Sequence, residues 1–234
     1  MKTQFAIVYQ VSNRFGLTAM TLKTEQPLVH VPGQYLAASS STDQDDQIPH
    51  SLFIEQSMEN EISICSPAPQ KWYPGQEITF RGPLGNGFRV PKILNHLALI
   101  GLDEHPGRLM TLVNVVSNQN VDIVIAGDFI SNPVIIRDIP ATAELTKLDH
   151  LDDLFNWADY IAMDVPLSRI QELGEILCRP SAQLRRGDIQ VLVYTSMPCA
   201  GIAECGICAV KTIKGYKLAC QDGPVFNLKD IHFN

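Results

Sequence analysis

Four cysteines crowd the C-terminal end of the chain and restrict how that end can fold. Cys199, Cys205, Cys208 and Cys220 follow the pattern C-x5-C-x2-C-x11-C. Thiolates at this spacing can close around one metal centre, either a [2Fe–2S] cluster or a zinc ion. A zinc ribbon usually carries two C-x2-C pairs, and here the second arm offers a single cysteine. The pattern therefore favours the cluster over zinc, and zinc over four unrelated thiols.

The residues between these cysteines also suit a cluster loop. Gly201 and Gly206 leave room for backbone N–H groups to approach the sulfur atoms, where they stabilise the charge added on reduction. Val210–Ile213 and Tyr216–Ala219 predict a short hairpin around a Lys-Gly turn, which ends at Cys220. The hairpin would bring the distant fourth thiol back to the loop.

The bulk composition excludes several classes of protein. With 234 residues, the chain is long enough for one large domain or two modest ones. Its net charge of −7 argues against a general nucleic-acid-binding role, which needs clustered Lys and Arg. The sequence contains no run of 18 or more apolar residues, so no membrane span is predicted. The N-terminus lacks an export signal, and clustered cysteines typically bind metal in a reducing compartment, so we expect a cytoplasmic protein. The two other cysteines, Cys65 and Cys178, are expected to be ordinary core residues.

The first ninety residues predict an all-β unit. They contain many short apolar or alternating runs with turn residues between them, which is typical of a small barrel. The predicted strands are Phe5–Gln10, Leu17–Leu22, Leu28–Val31, Gln34–Ala38, Ser51–Glu55, Glu61–Cys65 and Glu77–Arg81.

After Pro91, strand-like and helix-like stretches alternate, which predicts a parallel sheet with right-handed crossovers. The predicted strands are His96–Leu102, Val121–Ala126, Trp157–Met163 and Ile189–Tyr194. Helical spacing appears in Arg108–Val116 and Leu167–Leu177. Pro140–Leu154 is interpreted as a connector that contains a helix.

Three motifs then resemble one known family. The tail Cys199–Phe226 ends in Ala-Cys-Gln-Asp-Gly-Pro-Val-Phe, Gly82–Phe88 reads Gly-Pro-Leu-Gly-Asn-Gly-Phe, and Pro32–Tyr35 reads Pro-Gly-Gln-Tyr. Together they resemble the electron-transfer subunits of class B dihydroorotate dehydrogenase, in the ferredoxin–NADP reductase superfamily. The family's first cysteine pair is spaced by four residues, so the five residues here require a one-residue bulge in the loop.

The resemblance implies a ferredoxin-reductase-like fold in three parts. Residues 1–90 would form a flavin-binding-type β-barrel, and residues 91–196 a nucleotide-binding-type α/β domain that is degenerate. Residues 197–234 would form a small [2Fe–2S] segment, with Cys199, Cys205, Cys208 and Cys220 as metal ligands.

The flavin motif of the family is only partly present. Members carry Arg-Pro-x-Ser on a barrel strand, where the arginine pairs with the flavin pyrophosphate and the serine bonds the ring. Here the segment is Ile48-Pro49-His50-Ser51, so the resemblance implies that Pro49, His50 and Ser51 contact FAD without the arginine. Loss of that charge-assisted contact should cost about 1.5–3 kcal/mol, roughly a tenfold to hundredfold loss of affinity.

The nicotinamide motif departs further from the family. A glycine-rich turn should follow the first α/β strand, where backbone amides meet the dinucleotide phosphates. This chain instead has Leu102-Asp-Glu-His-Pro-Gly107, whose side chains fill the space and whose two acids repel phosphate. Near the nicotinamide, the family's Cys-Gly-Pro is replaced by Met163-Asp-Val-Pro166. NAD(P) is therefore not an expected cofactor.

The favoured hypothesis is an iron–sulfur flavoprotein subunit rather than a stand-alone enzyme. It would pass electrons between a [2Fe–2S] cluster, FAD and a partner oxidoreductase, which by resemblance is a dihydroorotate dehydrogenase catalytic subunit of pyrimidine biosynthesis. No residue is assigned an acid–base role. An alternative is a non-catalytic assembly or redox-sensing subunit with a structural metal site and no use of NAD. A third is an NAD(P)H reductase with an unusual phosphate loop.

Overall fold

The structure is a computed structural model that describes residues 3–43, 46, 48–64, 69, 71–177 and 188–233. Six antiparallel strands near the N-terminus close into a barrel in the order β1-β2-β5-β4-β3-β6. Their bounds are β1 Gln4–Arg14, β2 Leu17–Thr24, β3 Tyr35–Ser40, β4 His50–Met58, β5 Glu61–Ile64 and β6 Glu77–Leu84. The predicted small barrel is thus present.

Alternation along the barrel strands separates an inner from an outer face. Leu36, Leu52 and Ile78 point into the barrel core, so their neighbours in sequence point outward. One predicted strand was wrong: Leu28–Val31 forms no strand. The segment lies between Pro27 and Pro32, which lack N–H donors for a ladder, and Val29 is 87% exposed.

The second unit is a six-stranded sheet in the order β14-β11-β10-β7-β8-β9. Its strands are β7 His96–Gly101, β8 Asp122–Gly127, β9 Ala143–Thr146, β10 Tyr160–Pro166, β11 Asp188–Tyr194 and β14 Val225–Asn227. All pairings are parallel except that of β14 with β11. The helices are α1 Met110–Val116, α2 Pro133–Asp138, α3 Leu151–Trp157 and α4 Ile170–Leu177. The strand order reverses between β7 and β10, and ligands of such sheets bind beyond the carboxyl ends of the strands at this switch point.

Some boundaries differ from the sequence-based prediction. Pro140–Leu154 contains strand β9 as well as the start of α3, and Trp157 ends α3 instead of beginning a strand. The four-residue β9 is too short to show a period of its own. Helix α2 and strand β14 were not predicted.

The predicted C-terminal hairpin is present as β12 Ala209–Thr212 and β13 Gly215–Leu218, which pair antiparallel. Cys220 follows it closely. Cys65 and Cys178 lie outside the described residues. In the part of the chain that the structure describes, no helix is long and apolar enough to cross a membrane.

Candidate functional site

The four C-terminal cysteines are free thiols gathered at one place in the fold. Cys205 is exposed, Cys199 is partly buried, and Cys208 and Cys220 are buried. The Cys199 thiol is hydrogen-bonded to that of Cys205. The thiol of Cys220 is linked in the same way to those of Cys208 and Cys199, and its amide donates to the Cys208 sulfur at 3.4 Å. The four thiols thus form one continuous chain of contacts, Cys205–Cys199–Cys220–Cys208.

The cysteine loop, residues 199–208, turns its backbone amides toward one sulfur. Burial alone would raise the pKa of Cys199, but the amides of Ala203, Glu204 and Cys205 donate to it and bring the pKa down to about 7. The loop achieves this through left-handed residues, including Ala200 at a φ of 51° and Ala203 at 69°. Both residues lie between the first two cysteines, in the segment that has one residue more than the family's spacing.

Four linked thiols are the number of protein ligands that a [2Fe–2S] cluster needs. Such a cluster contains two irons that share four thiolates. Among the described residues, no group of three or more His, Cys, Asp or Glu side chains is gathered so that it could hold one metal ion.

The glycine-rich junction before the α/β sheet fastens the cysteine segment to the barrel. Gly85 adopts a φ of +74°, and a Cβ there would lie 2.6 Å from the carbonyl oxygen of Gly223. Asn86 donates from Nδ2 to the carbonyl of Asp222 at 2.8 Å. Gln34 donates to the carbonyl of Gly85 at 2.8 Å, so this junction holds the barrel turn and the cysteine segment together.

Tyr35 provides a second link between barrel and cysteines. Its buried hydroxyl donates to the carbonyl oxygen of Cys220 at 3.0 Å. Burial raises the pKa of Tyr35 above its ordinary value, and Arg81 lies close enough to oppose that rise. Gly201 of the cysteine loop packs on the same ring, because a Cβ there would lie 3.2 Å from the Tyr35 hydroxyl oxygen.

The outer face of the barrel beside Tyr35 carries the remaining part of the flavin motif. Ser51 on β4 pairs with Ala37 on β3, which pairs in turn with Arg81 on β6. The three side chains form a cross-strand row with a small residue at its centre. Tyr35 and Phe53 form the neighbouring row on the same face.

His50 and its surroundings differ from a simple phosphate cradle. His50 Nε2 lies 2.7 Å from Oδ1 of Asp46, and the indole of Trp72 donates to the other oxygen of Asp46 at 2.8 Å. Lys71 is paired with Asp43 at 2.8 Å. Ile48, at the position of the missing arginine, is 68% exposed. The residues of the Ser51 row are compatible with a flavin ring, whereas His50 and Lys71 are each paired with an acid.

The switch-point crevice, at the carboxyl ends of β7 and β10, is filled by an internal charge cluster. The guanidinium of Arg108 is buried. Its Nε lies 2.9 Å from Oδ2 of Asp164, and its Nη2 bonds Oδ2 of Asp103. Its plane lies over the ring of Tyr194, with Cζ 3.9 Å from the ring centroid. Leu102 is 1% exposed. These side chains occupy the place where a dinucleotide would enter.

The same crevice contains buried polar atoms without partners. Nδ1 of His105 and Nη1 of Arg108 have no hydrogen-bond partner among the described residues. Burial and the nearby Arg108 together lower the pKa of His105 to about 4, although Asp103 opposes the shift. Burial raises the pKa of Asp164 to about 6, against the attraction of Arg108.

Comparison with known proteins agrees with this geometry. Residues 195–232 match the family model described as the iron-sulfur cluster binding domain of dihydroorotate dehydrogenase B. The electron transfer subunit of dihydroorotate dehydrogenase B (NAD(+)) from Clostridium perfringens is 28% identical over 175 residues, covering 70% of each chain. The corresponding Clostridium acetobutylicum subunit is 28% identical over 162 residues, covering 65% of this chain and 63% of its own length. The resemblance predicted from the sequence is confirmed.

Solved structures support the fold. A structure of NADH-dependent reduced ferredoxin-NADP oxidoreductase superposes with a TM-score of 0.74 at 16% identity, covering 97% of this chain and 90% of that one. The ferredoxin reductase of carbazole 1,9a-dioxygenase gives a TM-score of 0.60 at 14% identity, covering 82% and 69%. The ferredoxin-reductase-like fold and the C-terminal iron–sulfur segment are therefore as predicted.

Sequence reasoning named seven site residues, and the structure brings them into two neighbouring groups. The four cysteines form one, and Pro49, His50 and Ser51 lie at the start of β4 or just before it. It missed Arg108, Tyr35 and Arg81. Arg108 carries no motif of its own. Tyr35 and Arg81 stand in or beside the quoted motifs, yet only the strand register reveals what they face.

Proposed function

We propose that this chain is the electron-transfer subunit of a cytoplasmic oxidoreductase similar to dihydroorotate dehydrogenase B. Its four cysteines hold a [2Fe–2S] cluster, and the outer face of the barrel at Ser51 holds the ring of FAD, with Pro49 and His50 beside it. Segments 1–90, 91–196 and 197–234 serve as flavin-binding-type barrel, degenerate nucleotide-binding-type domain and cluster segment. The partner subunit carries the substrate chemistry.

One observation carries this proposal. The four linked cysteines are attached through Tyr35, whose hydroxyl lies 3.0 Å from the Cys220 carbonyl oxygen, to the barrel face that bears Ser51. A cluster and a flavin bound there would be neighbours. When bound, the cluster supplies one-electron chemistry and the flavin one- or two-electron chemistry. The protein's contribution is to bind both, orient them and hold donors at the cysteine sulfurs.

The test is the metal and flavin content of anaerobically purified protein. We expect about two iron and two sulfide per chain, together with FAD, and visible absorption that bleaches with dithionite. Cys205→Ser should abolish the cluster, because it removes one of four thiolates. Glu204→Gln is the matched control, since Glu204 directly precedes Cys205 and its side chain is exposed. A colourless protein with one zinc would instead favour the assembly or redox-sensing alternative.

We further infer that this subunit does not use a pyridine nucleotide. Arg108, Asp103 and Asp164 fill the switch-point crevice from within, where the one guanidinium is paired with both carboxylates. Binding a dinucleotide would require breaking a buried ion pair, which typically costs about 3–5 kcal/mol. The relatives are named for NAD(+), so this chain would differ from them in its electron donor or acceptor.

A further inference from the structure

Arg81 lies at one end of the cross-strand row that forms the candidate flavin site. No contact with the described residues gives its guanidinium a structural role. Ile78 and Phe80 of β6 point into the barrel core, so Arg81 points to the outer face that carries Ser51. It is only partly buried. Among the described residues, it forms no ion pair or side-chain hydrogen bond.

The strand register places this guanidinium opposite Ser51. Ser51 and Arg81 are both cross-strand partners of Ala37. Two strand spacings separate the backbones of Ser51 and Arg81 by about 9.6 Å. Ala37 puts only a methyl group between them. A planar three-ring system lying across this row would meet a hydroxyl at one side and a cation at the other.

Arg81 also lies near Tyr35, the residue that connects the barrel to the cysteines. It interacts electrostatically with the Tyr35 hydroxyl, which bonds the Cys220 carbonyl at 3.0 Å. Leu84, three residues further along β6, packs against the cysteine loop, since a Cβ on Gly201 would lie 3.3 Å from it. The cation therefore lies on the barrel face near Tyr35, the residue that bonds the cysteine segment.

We propose that Arg81 contacts the flavin ring from β6 and supplies a positive charge to a site that has Ile48 in place of the family's pyrophosphate-binding arginine. This inference rests on the proposed function. Each electron that reaches the cluster or the flavin adds one negative charge unless a proton follows. A fixed cation beside the flavin ring stabilises the reduced flavin, and net charge near a cluster is one of the factors that set its potential.

The experiment compares Arg81→Met and Arg81→Lys with the wild-type holoprotein. The matched control is Arg137→Met, on helix α2, whose side chain is 70% exposed. Two quantities are measured anaerobically: the dissociation constant of FAD, from flavin released into ultrafiltrate, and the midpoint potentials of flavin and cluster, from dye-buffered redox titration.

We expect Arg81→Met to weaken FAD binding about tenfold or more, as for loss of a charge-assisted hydrogen bond. Both potentials should become more negative; a tenfold weaker preference for the reduced cluster corresponds to about 59 mV for one electron. Arg81→Lys should keep potentials near wild type because it keeps the charge, and it tests the same point if the methionine variant does not fold. Arg137→Met should change neither quantity.

Unchanged affinity and potentials in Arg81→Met, or equal shifts in Arg137→Met, would overturn the role of Arg81 while leaving the proposed function intact. Wild-type protein that carries the cluster but no flavin would overturn both this inference and the flavin part of the proposed function. Protein without iron would refute the proposed function at the cysteines, which Arg81 does not touch.

Discussion

At the scale of single residues, the most unusual chemistry lies in the switch-point crevice. Arg108 and Asp164 are a buried ion pair, and breaking such a pair costs more than the pair contributes, because it leaves one charge uncompensated. His105 lies in the same crevice with an unpartnered ring nitrogen. Burial therefore keeps His105 neutral in the folded protein.

His105 should make the protein sensitive to mild acid. Its folded pKa of about 4 lies below its ordinary 6.5, so its contribution to stability is present above pH 6.5 and is lost as the pH falls toward 4. Between pH 7 and pH 5, wild type should lose about 2 kcal/mol more free energy of unfolding than His105→Gln. Urea titrations followed by circular dichroism at the two pH values measure this difference.

The comparison isolates His105 from the charges that face it. Arg108, Asp103 and Asp164 are present in both proteins, and the raised pKa of Asp164 acts in the opposite direction in each. If both proteins lost the same free energy between pH 7 and pH 5, the buried neutral state of His105 would be refuted.

At the scale of elements, the junction 82–88 determines how closely the cysteine segment approaches the barrel. Gly85 and Gly75 both have positive φ, but a Cβ on Gly85 meets Gly223 and Pro224 at 2.6 Å, whereas one on Gly75 meets nothing within 4 Å. Backbone atoms cannot yield as a flexible side chain can. Of these two positions, only that of Gly85 therefore requires glycine because of close contact as well as backbone conformation.

Alanine at these two glycines should separate conformation from contact. Both substitutions carry the left-handed penalty of about 1–2 kcal/mol, and Gly85→Ala adds about 1–3 kcal/mol of overpacking. We expect Gly85→Ala to have a lower iron content and to lose its visible absorption faster under a chelator. Gly75→Ala should retain iron as wild type does. Equal iron retention by the two variants would contradict a role for this contact in holding the cluster segment.

A distinction between local sequence pattern and three-dimensional contact explains which elements the sequence could predict. The barrel strands and β7, β8 and β11 have periods of two or continuous apolar runs that follow from their own burial. β9 and β14 are too short for a pattern, and β14 exists because β11 offers it an edge in three dimensions. Likewise, the spacing of the cysteines indicates a site in the sequence. Arg81 and Arg108 are recognised only from the strand register and from the burial of their side chains in the structure.

At the scale of the whole molecule, two units share one interface, and each has kept a different part of a reductase. The barrel face and cysteine loop meet through Tyr35, so the route between candidate flavin and cluster is short and built of packed residues. At the switch point of the sheet, buried Arg108 is paired with Asp103 and Asp164. Under the proposed function, the fold would retain the path between flavin and cluster while closing the entrance for a dinucleotide.

The whole-molecule prediction is that reduced pyridine nucleotides leave the holoprotein oxidised. Mixing with NADH or NADPH under anaerobic conditions should produce no rapid bleaching of the flavin and no saturable binding in calorimetry, because Arg108 and its two carboxylates occupy the crevice. Dithionite added to the same sample is the control, and it should bleach flavin and cluster. Rapid bleaching by either nucleotide would show that the charge cluster opens, and it would identify the chain as a reductase with an unusual phosphate loop. Electrons could then enter through the crevice as well as through the cysteine segment. If the crevice stays closed, the cysteine segment is the route that remains.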